Sequence, residues 1–192
     1  PPPPPPPPPP FFFIYPATTV IYTLSLHDAL PISSVSGAAA GAGVSLAFSG
    51  DFVVCADNAK FIMAFVNLGL VPDTGGTYLF VKSLGIQKAM ELCVTGRPMK
   101  AQEAKDAGMV YDVVPAEELD DTVMKLAKKF ASGPLLSYKN IKKQIYQAGL
   151  ADYKKYLDEC EIPTQRECAA SSDFIEGVKA FMEKRKAEFK GE

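Results

Sequence analysis

The chain has very little histidine and no tryptophan. Its single histidine, His27, lies in the segment "TLSLHDALPIS", and the 192-residue sequence contains no other imidazole. Ser–His–Asp and Cys–His mechanisms both need a histidine base, so both are excluded from the chain beyond that segment. The four cysteines are far apart in the sequence and form no C-x-x-C pair: Cys55, Cys93, Cys160 and Cys168. We therefore expect reduced thiols, a cytoplasmic location and no metal site.

Neither sign of charge dominates the sequence, and no apolar run is long. Twenty basic and 22 acidic residues give a formal net charge of −2, which provides no basic field for nucleic acid or for an anionic membrane. The apolar stretch at residues 11–26 is too short, and too interrupted by Pro16, to span a bilayer. We expect neither nucleic acid nor a membrane as a partner.

Nucleotide-binding motifs are also missing. In "GAGVSL", Leu46 stands where the third glycine of G-x-G-x-x-G would be, and no G-x-x-x-x-G-K-[ST] loop occurs. What remains as candidate chemistry is the backbone at Gly41–Gly43 and the carboxylate of Asp73. Small residues let a ligand approach the backbone closely, but they also favour a tightly packed turn. Asp73 likewise has a functional and a structural interpretation. It is either a general base, or a turn residue or helix cap.

Residues 1–33 differ in character from the rest of the chain. Pro1–Pro10 is a homopolymer that can form only a polyproline II rod. The stretch "TLSLHDALPI" resembles the translation of a sequencing-library adapter. We interpret residues 1–33 as an artefactual, disordered segment, so the neighbouring His27 and Asp28 are not expected to form a catalytic dyad.

From Ser34 onward the sequence has the pattern of an α/β protein. Residues 34–51 predict a small-residue turn followed by a helix that starts near Gly43. Two short strands are predicted, at Phe52–Ala56 and Met109–Val114. Apolar spacing and glycine stops predict helices over Gly76–Ser83, Gln87–Thr95, Ala101–Ala107, Glu117–Ser132 and Leu135–Ala148, and from Asp173 onward with Glu176 in a capping box. Because two strands are too few for a sheet, the sequence predicts the C-terminal part of a larger domain.

The chain from about Ser34 to Lys190 resembles the C-terminal portion of the enoyl-CoA hydratase/isomerase (crotonase) family. Four stretches carry the resemblance: "VSGAAAGAGVSLAFSGDFVVCADNAKF", "LGLVPDTGGT", "KAMELCVTGRPMKAQEAKDAGMV" and "DFIEGVKAFMEKRKAEF". The resemblance implies an α/β fold, in which residues 34–115 form the truncated end of a β-β-α spiral and residues 116–192 a helical oligomerisation region. It also implies a homotrimer or hexamer and an acyl-CoA thioester substrate. No separate cofactor is expected, because coenzyme A is part of that substrate.

The resemblance also assigns roles to individual residues. It places one backbone N–H donor of an oxyanion hole at Ala42, between Gly41 and Gly43. The second donor belongs to an N-terminal segment that we expect the chain to lack, so we expect the 192-residue product to be inactive. Phe181 and Lys184 resemble family residues that contact the adenine and phosphate of coenzyme A. The basic run Lys184–Lys186 would otherwise be a solvated helix face.

Two departures from the family pattern indicate which reaction is favoured. Family hydratases hold water between two glutamates, whose positions here are Ser45 and Phe65 by resemblance, and neither is a carboxylate. The stretch "MAFVNLGLVPDTGGT" instead resembles the ring-1,2-epoxyphenylacetyl-CoA isomerase type, in which the aspartate at Asp73 acts alone as acid and base. In a related 4-chlorobenzoyl-CoA dehalogenase, the corresponding position is a nucleophile. A hydratase that recruits Asp73 and a non-catalytic acyl-CoA binder remain alternatives, and both fatty-acid and aromatic-ring acyl groups fit.

Overall fold

Six short strands form two three-stranded sheets in the computed structural model, which describes residues 30–191. In chain order the strands are β1 (Ile32–Val35), β2 (Ala38–Ala40), β3 (Phe52–Ala56), β4 (Lys60–Ile62), β5 (Met99–Lys100) and β6 (Asp112–Val114). The first sheet has the order β1-β3-β6 and is parallel throughout. In the second sheet, β4 lies between β2, which is parallel to it, and β5, which is antiparallel.

Helices connect and cover these sheets. In chain order they are α1 (Ala42–Phe48), α2 (Gly76–Thr95), α3 (Ala101–Asp106), α4 (Leu119–Ala131), α5 (Leu135–Gly149), α6 (Tyr153–Tyr156), α7 (Ile162–Ala169) and α8 (Ser172–Glu183). Short 3-10 turns occupy Ala64–Leu68 and Ala116–Glu118, and a π-helical segment, Leu157–Glu161, joins α6 to α7. The crowding of helices after β6 agrees with the predicted helical C-terminal region.

The start of the described region differs from the prediction. Residues 34–41 were expected to be a turn, but they contain β2 and the second half of β1. Alanine has a low preference for strands, so Ala38–Ala40 gives no strand signal; its pairing with β4 through the backbone decides the structure. The predicted boundary after Ser33 falls inside β1, whose Ile32 pairs with Phe52. The proline run and the His27–Asp28 pair lie outside the described residues.

Most predicted helices are confirmed, with two corrections. The two helices expected on either side of Gly85 form one element, α2, with a kink at this residue (φ 75°, ψ 167°). The last helix is capped by Ser171, whose Oγ accepts a hydrogen bond from the Phe174 N–H at 3.1 Å, rather than by a box that uses Glu176. Glu176 instead forms a salt bridge with Arg185.

The predicted strand at Met109–Val114 is shorter than expected. Only Asp112–Val114 pairs with β3, and Met109 and Val110 are buried in the core just before it. Helices α6 and α7 and the π segment between them were not predicted, because no apolar stripe is evident in this charged stretch.

β3 is buried on both of its faces. Val53 and Cys55 point into the main core, whereas Val54 and Ala56 pack under α4. A strand in the middle of a parallel sheet is covered in this way, and it then has an unbroken apolar sequence. The main core is completed by side chains from both sheets, α1 and α2, including Val44, Phe61, Met63, Phe80, Leu92 and Met99.

A buried ion pair attaches α5 to the chain just before β3. Lys142 Nζ lies 2.8 Å from Asp51 Oδ2, with side chains only 5% and 8% exposed. Tyr146, one turn further along α5, donates a hydrogen bond to Asp51 Oδ1 at 2.9 Å. Burial raises the pKa of Asp51, and Lys142 and Tyr146 act in the opposite direction. The pair therefore fixes a largely exposed helix at one buried point.

Membrane-spanning helices, metal-ligand clusters and disulfides are absent from residues 30–191. No helix within that range has both the length and the apolarity that crossing a membrane requires. Within the same range, no three His, Cys, Asp or Glu side chains are grouped closely enough to hold a metal ion. All four cysteines are free.

Candidate active site

The loop that contains Asp73 has a strained backbone. Thr74 (φ 56°) and Gly75 (φ 79°) are both in the left-handed region, which a β-branched residue adopts at a cost of roughly 1–3 kcal/mol. Two short-range bonds to the Asp73 carbonyl stabilise the turn: Thr74 Oγ1 donates at 2.7 Å and the Gly76 N–H at 3.1 Å. Strain of this kind persists only where the surrounding structure enforces it, and it is common at functional sites.

Glu161 holds this loop from the opposite side. Both of its carboxylate oxygens accept a hydrogen bond from the Gly75 N–H, each at 3.0 Å. The residue is only 3% exposed, and burial, together with the nearby charge of Asp73, raises its pKa to about 7. Gly75 leaves no room for a side chain, because an added Cβ would lie 1.7 Å from the hydroxyl oxygen of Tyr153.

The Asp73 carboxylate has one oxygen bonded and one oxygen free of hydrogen bonds. Gln165 Nε2 donates to Oδ2 at 3.3 Å. Oδ1 is buried and has no hydrogen-bond partner among residues 30–191. Burial raises the pKa of Asp73, and the neighbouring polar side chains of Thr74 and Gln165 partly offset that effect. A partly desolvated carboxylate with a free oxygen is suited to accept a proton.

The glycine turn before α1 lies against the same region. Gly41 has φ 55°, and a Cβ added to it would be 3.8 Å from the ring of Phe65, which is buried. Ala42 is the first residue of α1, where a backbone N–H has no partner within the helix. Ser45 is buried on α1 and donates a hydrogen bond from Oγ to the Asp73 carbonyl at 3.2 Å. Ser45 thus links α1, which begins at Ala42, to the Asp73 loop, and Gly41 lies beside Phe65.

The remaining predicted site residues, Gly43, Phe181 and Lys184, have no described contact with the Asp73 loop. Gly43 follows Ala42 in the first turn of α1 and is exposed. Phe181, near the end of α8, is 76% exposed, and Lys184 caps that helix with φ 54°. No hydrogen bond among the described residues links Phe181 or Lys184 to the Asp73 loop. In the basic run, Arg185 is paired with Glu176 and Glu183.

Sequence reasoning missed two residues at this site, Glu161 and Gln165. Both lie in the stretch whose helices were not predicted, and they are four positions apart, so they face the same side. A carboxylate in a charged, helix-forming stretch has the appearance of a surface residue. Pro163, at the start of α7, was the only local signal of an irregular helix.

Comparison with known proteins identifies the fold. The family model for enoyl-CoA hydratase/isomerase matches residues 18–192. The chain belongs to the enoyl-CoA hydratase/isomerase family. A crystal structure of an enoyl-CoA hydratase from Mycobacterium avium subsp. paratuberculosis superposes with a TM-score of 0.86 at 31% identity, covering 91% of this chain and 70% of that one. The expected crotonase-type fold is confirmed.

Sequence relatives in the enoyl-CoA hydratase/isomerase family include both kinds of enzyme. A trans-2-decenoyl-[acyl-carrier-protein] isomerase from Streptococcus mutans is 38% identical over 83% of this chain and 60% of its own length. A 1,2-epoxyphenylacetyl-CoA isomerase from Escherichia coli is 42% identical over 83% and 61%. A probable enoyl-CoA hydratase from Rhodobacter capsulatus is 37% identical over 84% and 63%. The chain therefore spans about three fifths of the length of these curated relatives.

Proposed function

We propose that this region belongs to an acyl-CoA isomerase in which Asp73 is the single acid and base. The observation that carries the proposal is the arrangement around the Asp73 carboxylate, where one oxygen is held by Gln165 and the other is buried without a partner. At the two positions where family hydratases place glutamates, the chain has Ser45 and Phe65. Among the described residues, we therefore assign the proton exchange with the substrate to the Asp73 carboxylate.

The proposed reaction moves a double bond in two proton transfers. Asp73 Oδ1 takes a proton from the carbon next to the thioester carbonyl, and the electron pair of that C–H bond shifts to form an enolate. The Ala42 N–H, with a second donor expected from an N-terminal segment, stabilises the charge on the enolate oxygen. The enolate then collapses, and the γ-carbon takes the proton back from Asp73. The double bond has moved from the β,γ to the α,β position, with no net gain or loss of atoms or electrons.

Hydration is the second candidate, because hydratases are among the relatives and Glu161 is a carboxylate close to Asp73. The geometry favours isomerisation over it. Both oxygens of Glu161 accept a hydrogen bond from the Gly75 N–H. We therefore assign Glu161 to holding the loop and not to binding a water molecule. Phe65 is apolar and buried beside Gly41, which disfavours water at the position where a hydratase needs it.

The proposed substrate class, cofactor requirement and coenzyme A contacts are those that the family resemblance implies. The substrate carries coenzyme A, so the reaction needs no separate cofactor, and Phe181 and Lys184 are the proposed contacts to its adenine and phosphate. The relatives' names include both a decenoyl and a phenylacetyl-derived group, so both substrate classes should be assayed. The four free cysteines support a cytoplasmic location.

The test is the substitution Asp73→Asn in a full-length hybrid. Residues 34–192 would replace the corresponding region of the E. coli 1,2-epoxyphenylacetyl-CoA isomerase, which supplies the N-terminal part. We expect Asp73→Asn to lower kcat for a 3-enoyl-CoA by about 10²–10⁴-fold, because asparagine cannot accept the proton. The matched control is Asp57→Asn, which changes an exposed aspartate after β3 and should leave kcat unchanged.

Three other outcomes would contradict the proposal. Unchanged turnover in Asp73→Asn would remove Asp73 from the reaction. Conversion of crotonyl-CoA to a hydroxyacyl-CoA at the rate of isomerisation or faster would favour the hydratase. Binding of acyl-CoA without any turnover by the hybrid would indicate a non-catalytic binder.

A further inference from the structure

The helical stretch from Tyr153 to Ala169 reaches the Asp73 loop with three side chains. Its π-helical segment ends at Glu161, and Gln165 follows four residues later on the same side. A π segment adds a residue to a turn and often occurs at functional sites. Tyr153, at the start of the stretch, packs against Gly75. The stretch therefore contacts both the backbone and the carboxylate of the loop.

Glu161 and Gln165 contact different parts of the Asp73 loop. Glu161 accepts from the Gly75 N–H and so fixes the backbone that follows Asp73. Gln165 donates to Asp73 Oδ2 and so fixes the rotation of the carboxylate. With Oδ2 held in this way, Oδ1 is the oxygen left to exchange the proton, because it is buried and has no hydrogen-bond partner among the described residues.

We propose that Gln165 is a positioning residue that orients the Asp73 carboxylate for proton transfer at Oδ1, in a loop that Glu161 holds by its backbone. This inference rests on the proposed isomerase function. Gln165 contacts the Asp73 carboxylate at Oδ2, and we place its effect on the reaction in the orientation of Asp73. The hydrogen bond that it donates also favours the ionised form of Asp73, which is the form that must accept a proton.

The ionisable groups around Asp73 determine which titrations appear in a pH profile of kcat. Glu161 faces Asp73 across the loop, and its pKa is raised to about 7, chiefly by burial and also by the charge of Asp73. Two phenols from α6 face Glu161. Burial raises the pKa of Tyr156 to about 12 and that of Tyr153 further, so both stay neutral near pH 7. Asp73 and Glu161 are then the two carboxyl groups at the loop whose pKa values are raised by burial.

The test replaces Gln165 with methionine, which has a similar length and helix preference but no donor. In the full-length hybrid we expect Gln165→Met to lower kcat about 10²-fold, the loss typical of a misplaced catalytic group, with KM nearly unchanged. The acidic limb of the kcat profile should move to higher pH, because losing the hydrogen bond raises the pKa of Asp73. Gln165→Glu, which adds a like charge, should move it further. The control is Gln144→Met, at an exposed position on α5.

A carboxyl titration by NMR gives a second readout on the 192-residue chain itself. The pKa of Asp73 should rise in Gln165→Met, while the melting temperature stays within about a degree of the parent. Unchanged kcat and an unchanged Asp73 pKa would overturn the inference. A lower kcat that tracks a lower melting temperature, with no movement of the acidic limb, would also overturn it, because that is the signature of a merely structural role. If Asp73→Asn abolishes turnover while Gln165→Met does not, the inference fails and the proposed function stands.

Discussion

At the scale of single residues, the candidate site could be predicted only in part. Asp73 and the Gly41–Gly43 turn lie in short motifs, and those motifs indicate both a turn and a function. Glu161 could not be found in this way, because its partner Gly75 is 86 positions away in the sequence. Its burial depends on how α6 and α7 pack over the loop, and nothing in "DECEIPTQRE" encodes that contact locally.

Glu161 makes stability depend on pH in a defined direction. Its pKa is raised from 4.5 to about 7 in the folded chain, so the folded state binds the proton more tightly than the unfolded state does. Stability from this group is fully present below about pH 4.5 and is lost as the pH rises through 7. A pKa shift of this size corresponds to a change of at most roughly 3 kcal/mol in the free energy of unfolding.

We predict that Glu161→Gln reduces this loss. The glutamine oxygen can still accept from the Gly75 N–H, but it does not titrate. Urea unfolding of the 192-residue chain and of the variant at pH 4.5 and 7.5 measures the effect. Burial also raises the pKa of Asp51, and this group lowers the stability of both proteins equally as the pH rises. The difference between the two proteins therefore reports Glu161 together with its electrostatic coupling to Asp73. An equal loss in the two proteins would contradict the prediction.

At the scale of helices and strands, the apolar pattern predicted the elements that bury a continuous face. β3 and α4 are of this kind, whereas α2 was predicted as two separate helices. The pattern failed for β2, where three alanines carry no strand signal, and for α6 and α7, which contact the fold through polar side chains as well as apolar ones. The inserted π residues interrupt the regular helical period in that stretch, so no amphipathic stripe could be traced through it.

The attachment of α5 by the Lys142–Asp51 pair gives a prediction at this scale. Lys142→Ala leaves Asp51 buried beside Tyr146 without its cation, and we expect it to lower the free energy of unfolding by about 3–5 kcal/mol. The control is Lys143→Ala, at an exposed position on the same helix. The double variant Asp51→Asn/Lys142→Met should recover most of the loss, because it removes both charges while keeping an acceptor for Tyr146. Equal stability of Lys142→Ala and Lys143→Ala would contradict this account.

At the scale of the whole molecule, several apolar side chains are left exposed. On α2 they recur every fourth residue: Ile86, Met90 and Val94 are 67%, 58% and 60% exposed. Others lie on α5 and α8, namely Leu135, Leu136, Ile141, Ile145, Ile175, Phe181 and Met182. Exposed apolar groups on this scale indicate contact surfaces. Family resemblance led us to predict a trimer or hexamer, and these surfaces support that proposal.

We predict that the full-length hybrid is a trimer or hexamer and that Met90→Glu shifts it toward the monomer. A charge in the middle of the α2 stripe should oppose burial against another subunit. Light scattering coupled to size-exclusion chromatography measures the mass. Met124→Glu is the control, because Met124 is an isolated exposed methionine on α4. A monomeric parent, or an unchanged mass in Met90→Glu, would refute this assignment of the stripe.

The central claim is that one carboxylate, Asp73, carries a proton from one carbon of the acyl group to another. Isomerisation of a 3-enoyl-CoA deuterated at the carbon next to the thioester tests it most directly. The account predicts a 2-enoyl-CoA in which part of the deuterium appears at the γ-carbon, with transfer that disappears in Asp73→Asn and persists in Asp57→Asn. A product whose γ-hydrogen comes entirely from solvent, or a hydroxyacyl-CoA as the first product, would contradict it.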